Sequence, residues 1–205
     1  MKNSIIRAIL IAAAFWFVMF SPWTAPHINF WYVMMLAAGV LTTLSLTIGK
    51  DWKSQFNFNA KDIALGIGSA AVLWGVFFLG NEISNLLFDF ARPQVNDVYA
   101  MRDGQSQLFL GLALLFWIGP AEEIFWRGYV QRSLEGSKLG KWGAFIVTTL
   151  VYGLVHIWAF NFMLFMAALI CGAFWGFIYM KNRNLTTVLI SHAIWDVAVF
   201  ILLPI

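Results

Sequence analysis

Long apolar runs separated by short polar stretches dominate this chain of 205 residues. The hydrocarbon layer of a membrane is about 30 Å thick, so a helix that crosses it needs about 20 apolar residues. Seven runs meet that length, at about 4–21, 29–49, 61–88, 106–134, 141–160, 162–180 and 184–203. The third and fourth are long enough to tilt or protrude. Between the second and third runs, "KDWKSQFNFNAKD" mixes aromatic and charged residues, which predicts a segment lying along the membrane surface. Between the third and fourth, "FARPQVNDVYAMRDGQ" reads as the longest polar loop. The pattern predicts an all-α polytopic membrane helical bundle of about seven transmembrane helices, built as a single domain over 1–205.

Composition agrees with the periodicity. The chain is 61% hydrophobic and 11% charged, where soluble domains carry about 25% charged residues; its mean hydropathy is +0.76. The net charge of +3 does not mark a nucleic-acid partner, because the basic residues sit in loops and report topology instead. Lys2, Arg7, Lys50, Lys53, Lys61, Arg132, Lys138, Lys141, Lys181 and Arg183 fall on one side, and only Arg92 and Arg102 on the other. The positive-inside rule then places the N-terminus in the cytoplasm and the C-terminus outside, in a multi-pass protein of the cell membrane. The first run follows Lys2 and Arg7 as a signal peptide would, but it ends at "SPW" without a small-residue cleavage site and is read as a retained helix. The single cysteine, Cys171, allows no internal disulfide and reads as packing.

Several patterns are assigned to packing or to the interface. "GIGSAA", Gly66 to Ala71, imitates a dinucleotide fingerprint but lies inside an apolar run with no strand before it, so its small residues predict close helix contact. Gly172 and Gly176 read the same way. His27 falls in an outside turn and Glu82 near the outer end of the third span, both as solvated or interfacial groups.

Six ionisable residues remain inside the spans: Glu122, Glu123, Arg127, His156, His192 and Asp196. One charge at mid-membrane costs roughly 2.5–3.5 kcal/mol, while an interhelical polar contact returns about 0.6 kcal/mol on average. Six such groups on three spans therefore predict a site facing a wet cavity. Counted from the Lys/Arg-rich end, Glu122 lies roughly 18 Å deep, His156 roughly 22 Å, His192 roughly 12 Å and Asp196 roughly 18 Å.

Residues four apart share a helix face. Glu123 and Arg127 are thus partners, while Glu122 has Trp126 at that spacing and no local cation. This asymmetry suits Glu122 as a base that takes a proton from water and Glu123 as a structural group. Tyr152 shares a face with His156, and Asp196 with His192. Pro120 removes the bond to the Phe116 carbonyl and predicts a kink in the fourth span.

"EEIFWRG", then "YGLVH", then "HAIWD" resembles the Abi/CPBP family of CAAX-protease and bacteriocin-processing intramembrane proteases. That family shows E-E-x-x-x-R, F-x-x-x-H and H-x-x-x-N or D in this order on separate helices. The resemblance covers about 106–203, the expected catalytic core, while 1–105 carries no motif. It implies hydrolysis of a peptide bond in a membrane-associated protein or peptide, near its C-terminal tail, by a glutamate-type protease. Carried over, Glu122 and His156 would activate water, and His192 with Asp196 would stabilise the oxyanion. Glu123, Arg127 and Tyr152 would support them, with Tyr152 replacing the usual phenylalanine. Asp196 stands where the eukaryotic branch has asparagine, so it is either protonated or hydrogen-bonded to a charged His192.

No cofactor is implied on this reading. The alternative is a zinc site drawn from His156, His192 and either Glu122 or Asp196, since zinc takes three protein ligands and a water. A transporter or proton relay would also use such residues, but it usually shows two related halves, and no internal repeat is visible here. A peptide-binding immunity protein, with a cavity that binds and does not cut, is the third reading.

Overall fold

The computed structural model describes residues 2–49 and 51–205. Lys50, one of the topology-marking lysines, lies outside the described residues. Among those described there is no strand, as expected of a chain in lipid, where an open sheet edge would strand its backbone polar groups.

Seven helices are long and apolar enough to span a membrane. They are α1 (Lys2–Phe20), α2 (Phe30–Ile48) and α3 (Ala60–Leu87), then α5 (Gln107–Glu135), α6 (Gly140–Ala159), α7 (Phe162–Asn182) and α8 (Leu185–Leu202). The expected runs match these within a few residues. One difference is α4 (Ala91–Ala100), a short helix where a polar loop was expected. Its ten residues are too few to span and it packs against α3 and α7 instead.

Local signals explain where spans begin. The Asn29 side chain accepts from the amides of Trp31 and Tyr32, Asn59 from Asp62, Asn161 from Leu164 and Asn184 from Thr186. Each satisfies donors that the first helical turn leaves unpaired.

The loops gather at two ends, as the charge pattern requires. At one end Arg183 pairs with Glu135, and Asn57 meets Asn184 and Thr186. At the other, Asn161 donates to the Gln94 carbonyl and Trp31 to the Met101 carbonyl. The segment after α2 does more than lie on the surface. Its short 3-10 turn, Trp52–Gln55, sends Gln55 into the bundle, where it donates to the Gly128 carbonyl at 3.1 Å and accepts from the Tyr179 hydroxyl at 2.5 Å.

The backbone break expected at Pro120 falls among π-helical turns. α5 absorbs it through a π-helical stretch at Leu114–Ile118, where the Gly119 amide bonds back five residues to the Leu114 carbonyl. A second π-helical stretch follows at Ile124–Gln131. Such bulges break the 3.6 periodicity and often mark functional positions; here they flank the two glutamates.

α8 is the most enclosed span and packs along α3, α5 and α7. The small residues act as expected: Ser69 donates to Ser191 across the α3–α8 contact at 2.9 Å. A Cβ on Gly66 would come within 2.8 Å of the Ile190 Cβ and 2.9 Å of the Thr187 carbonyl oxygen, whereas one on Gly68 would meet nothing within 4 Å. Gly66→Ala should therefore destabilise the bundle by about 1–3 kcal/mol through overpacking, and Gly68→Ala should be neutral or slightly stabilising. Thermal unfolding in detergent distinguishes the two.

Candidate active site

All six ionisable residues that sequence reasoning singled out are buried, and the structure brings them together at the inner end of one cavity of about 530 Å³. Glu122, Tyr152, His156, His192 and Asp196 line it; Glu123 and Arg127 stand behind them.

α5 and α8 meet at this level because residue 119 is glycine. A Cβ there would sit 3.1 Å from the Ala193 Cα, so a side chain would push α8 and His192 a few tenths of an ångström back from the glutamates. Sequence reading had given Gly119 no role, although a glycine one turn before two buried acids is a usable signal.

Glu123 is the hub. Its Oε1 accepts from Arg127 Nη1 at 2.7 Å and from His192 Nδ1 at 2.8 Å. Arg127 is fully buried and also donates to the carbonyls of Cys171 and Gly172, while its guanidinium lies 4.9 Å from the Tyr152 ring centroid. Glu123 was expected to be structural and paired with Arg127. It is so paired, and it also holds a ring that faces the cavity.

His192 is clamped in orientation. The Trp175 indole stacks on it at 3.8 Å between centroids and 17° between planes, and is itself tied by its N–H to Ser191. With Nδ1 donating to Glu123, Nε2 faces Asp196 Oδ2 at 3.4 Å. That is ion-pair distance, too long for a strong hydrogen bond, so the second nitrogen is oriented but not committed.

On the opposite wall Tyr152 links the other two groups. Its hydroxyl donates to Glu122 Oε2 at 2.9 Å, and its carbonyl lies 2.8 Å from His156 Nδ1. The hydroxyl that sets this chain apart from the usual phenylalanine thus reaches the cavity and holds Glu122. α6 tightens into a 3-10 turn at Val155–Ala159, which lets His156 fold back onto the Tyr152 carbonyl.

The second nitrogen of His156 has a partner that sequence reasoning missed. Trp16 of α1 donates its indole N–H to Nε2 at 2.9 Å. A carbonyl can only accept and an indole N–H can only donate. His156 is therefore the neutral tautomer protonated at Nδ1, with both nitrogens engaged. Trp16 lies in the motif-free half, and one tryptophan among the chain's eleven carried no signal of depth or direction.

At the far end of the cavity Tyr99, on α4 and outside the spans, accepts from the Ile205 amide at 3.0 Å. Burial raises its phenol above the ordinary pKa of 10.0, an effect opposed by that amide and by Arg102, and it stays a neutral hydroxyl.

Zinc would require three converging donors. Both nitrogens of His156 are engaged, both of His192 face carboxylates, and no group of three His, Cys, Asp or Glu side chains among the described residues has the geometry to hold a metal. The donor set does not fit the ion without rearrangement.

Fold and cavity together define a polytopic helical membrane protein with a polar site sunk among its spans. Residues 104–198 match the family model described as type II CAAX prenyl endopeptidase Rce1-like, a stretch that contains every motif residue from Glu122 to Asp196. The match supports the resemblance of the three motifs to the Abi/CPBP family over this stretch. Among curated proteins and among solved structures, nothing matches the chain.

Two substitutions separate the roles of the buried contacts. Glu123→Ala leaves Arg127 without its counter-charge and should cost about 3–5 kcal/mol. Trp16→Phe keeps the ring but removes one neutral hydrogen bond, and should cost about 1 kcal/mol. Unfolding midpoints in detergent should fall in that order.

Proposed function

We propose that this protein is an intramembrane endopeptidase that hydrolyses a peptide bond of a membrane-associated protein or peptide, near its C-terminal tail, using water activated at Glu122. The family implies an intramembrane endopeptidase. The observation that carries the reading is the division of labour across the cavity: on one wall a carboxylate held by one oxygen, on the other an imidazole held by one nitrogen.

Glu122 Oε2 accepts from Tyr152, which leaves Oε1 to receive a proton from water. The hydroxide attacks the scissile carbonyl carbon, and the resulting oxyanion is met by the Nε2–H of His192, which acts as the imidazolium, protonated on both nitrogens between Glu123 and Asp196. Collapse of the tetrahedral intermediate breaks the C–N bond, and Glu122 returns its proton to the leaving amine. One water is consumed, and one carboxyl and one amine form. A preorganised donor of this kind is worth roughly 3–4 kcal/mol in other acyl-transfer enzymes. Asp196 sits beside the same nitrogen and orients it. His156 joins Glu122 at the water once substrate entering the cavity turns the Trp16 indole aside. The chain acts as one membrane-embedded unit, since α1 supplies that indole while α5, α6 and α8 supply the rest. The nitrogens of His156 and His192 point to Trp16, Tyr152, Glu123 and Asp196 rather than converging on one point, which supports a metal-free reaction over the zinc alternative.

Glu122→Gln should lower cleavage by about 10²–10⁴-fold, the usual contribution of a general base, with folding retained. Wild-type cells should hold new membrane-peptide termini that cells carrying Glu122→Gln lack; identical peptide sets would overturn the reading. Asp196→Asn should retain activity, because amide and carboxylate present the same oxygen to His192, and complete loss would show that the negative charge is required. Activity should persist in strong chelator, whereas loss reversed by added zinc would restore the metalloprotease alternative.

A further inference from the structure

The cavity is not centred in the bundle. Its walls are the last turns of α1, the first of α2, the second half of α3, all but the start of α4, the first half of α5, the end of α6, the first two-thirds of α7 and the end of α8. All of these segments run toward the end of the molecule that carries 21–29, 88–106 and 160–161. Glu122, His192 and Asp196 form its floor at mid-span.

Below that floor the bundle is closed. Phe125, Trp126, Arg127, Val130 and Gln131 are completely buried in succession along α5, and Gln131 bonds the Gly176 carbonyl across to α7. Gln55 is drawn in from the loop after α2 to seal the gap at Gly128. The pocket beside it measures about 10 Å³, about one water's worth of space. A peptide cannot pass this half without unpacking it.

The closed end is the Lys/Arg-rich end. Lys53, Lys61, Arg132, Lys138, Lys141, Lys181 and Arg183 lie there, while the open end carries Arg92 and Arg102 among Asp89, Asp97 and Asp103. By the positive-inside rule the closed end is cytoplasmic.

We propose that the substrate is a membrane-anchored polypeptide whose scissile bond lies in the non-cytoplasmic half of the bilayer, with large apolar side chains beside that bond, and that it reaches Glu122 from the face opposite the lysines and arginines. The inference rests on the proteolytic reading and narrows it to exported or outward-facing chains. The apolar requirement follows from the walls: above the polar floor they are mostly aromatic and aliphatic, with Phe77, Phe88, Phe162 and Phe200 among them. An extended segment of charged residues would lose its hydration there without gaining partners.

The test separates the route from the chemistry. In full-length protein carrying Cys171→Ala, single cysteines are introduced at Ser84 on the cavity wall and at Ser137 in the exposed turn after α5. Val95→Cys on α4 serves as a second wall position should Ser84→Cys fold poorly. A membrane-impermeant maleimide is applied to right-side-out and inverted vesicles. Ser84→Cys should react in right-side-out vesicles and lose that reaction when they are inverted, with Ser137→Cys showing the reverse. Reaction of the wall cysteines from the same face as Ser137→Cys, or from neither face, overturns the proposed route and leaves proteolysis standing. The termini produced by wild type and absent with Glu122→Gln should map to the non-cytoplasmic half of their parent chains; cytoplasmic termini would also overturn the proposal. Absence of any new termini would instead defeat the proteolytic reading.

Discussion

One oxygen organises the centre of this protein. Glu123 Oε1 receives both the Arg127 guanidinium and the His192 imidazole, in a region from which water is excluded. A buried carboxylate and a buried guanidinium are each costly in a membrane and tolerable only together. Their pairing makes a rigid anchor, and the imidazole takes its direction from that anchor. Trp175 fixes the plane of the same ring, so His192 has neither rotation nor tilt left. In the proposed reaction His192 receives a developing charge, and such a group works best when it need not reorganise; this arrangement removes the freedom to do so.

The backbone is bent to serve the anchor. α5 carries its two glutamates on a short α-helical turn, Gly119–Glu123, between two π-helical stretches. Gly119 brings α5 against α8. Both features reduce regular helix packing in order to set Glu122 on the cavity side and Glu123 behind it. The adjacent acids thereby face different surroundings: Glu122 meets a tyrosine hydroxyl and open space, and Glu123 meets a fixed cation. Adjacent positions on a helix diverge by about 100°, which is why neighbours can be given unlike tasks.

The hollow and closed halves of the bundle express the same economy of packing. Close packing below the floor holds the ion pair in a dry environment, while loose packing above it leaves room for a substrate. Helix association in lipid depends on small residues and polar contacts, because apolar surface gains nothing from leaving lipid. Gly66, Ser69 and Ser191 hold α3 against α8, so the third span can form cavity wall farther along without detaching.

Much of this was legible in the chain itself. Seven spans, their ends and the gathering of loops at two faces follow from hydropathy and charge, because lipid permits so few alternatives to a helix. The i,i+4 pairing of Glu123 with Arg127 followed from helical geometry, as did the contrast with Glu122, and the three motifs pointed to the family that the match over residues 104–198 supports. Polarity at mid-membrane singled out the six residues because nothing else tolerates that cost. What the sequence could not show were contacts between spans. That His192 rests on Glu123, that Tyr152 reaches Glu122, and that Trp16, 140 positions away, holds His156 depend on how helices rotate about their axes. The same holds for Gln55 turning inward and for a short helix within an apparent loop. Spacing along one helix sets which residues share its face; which face meets which is decided only when all the helices pack at once.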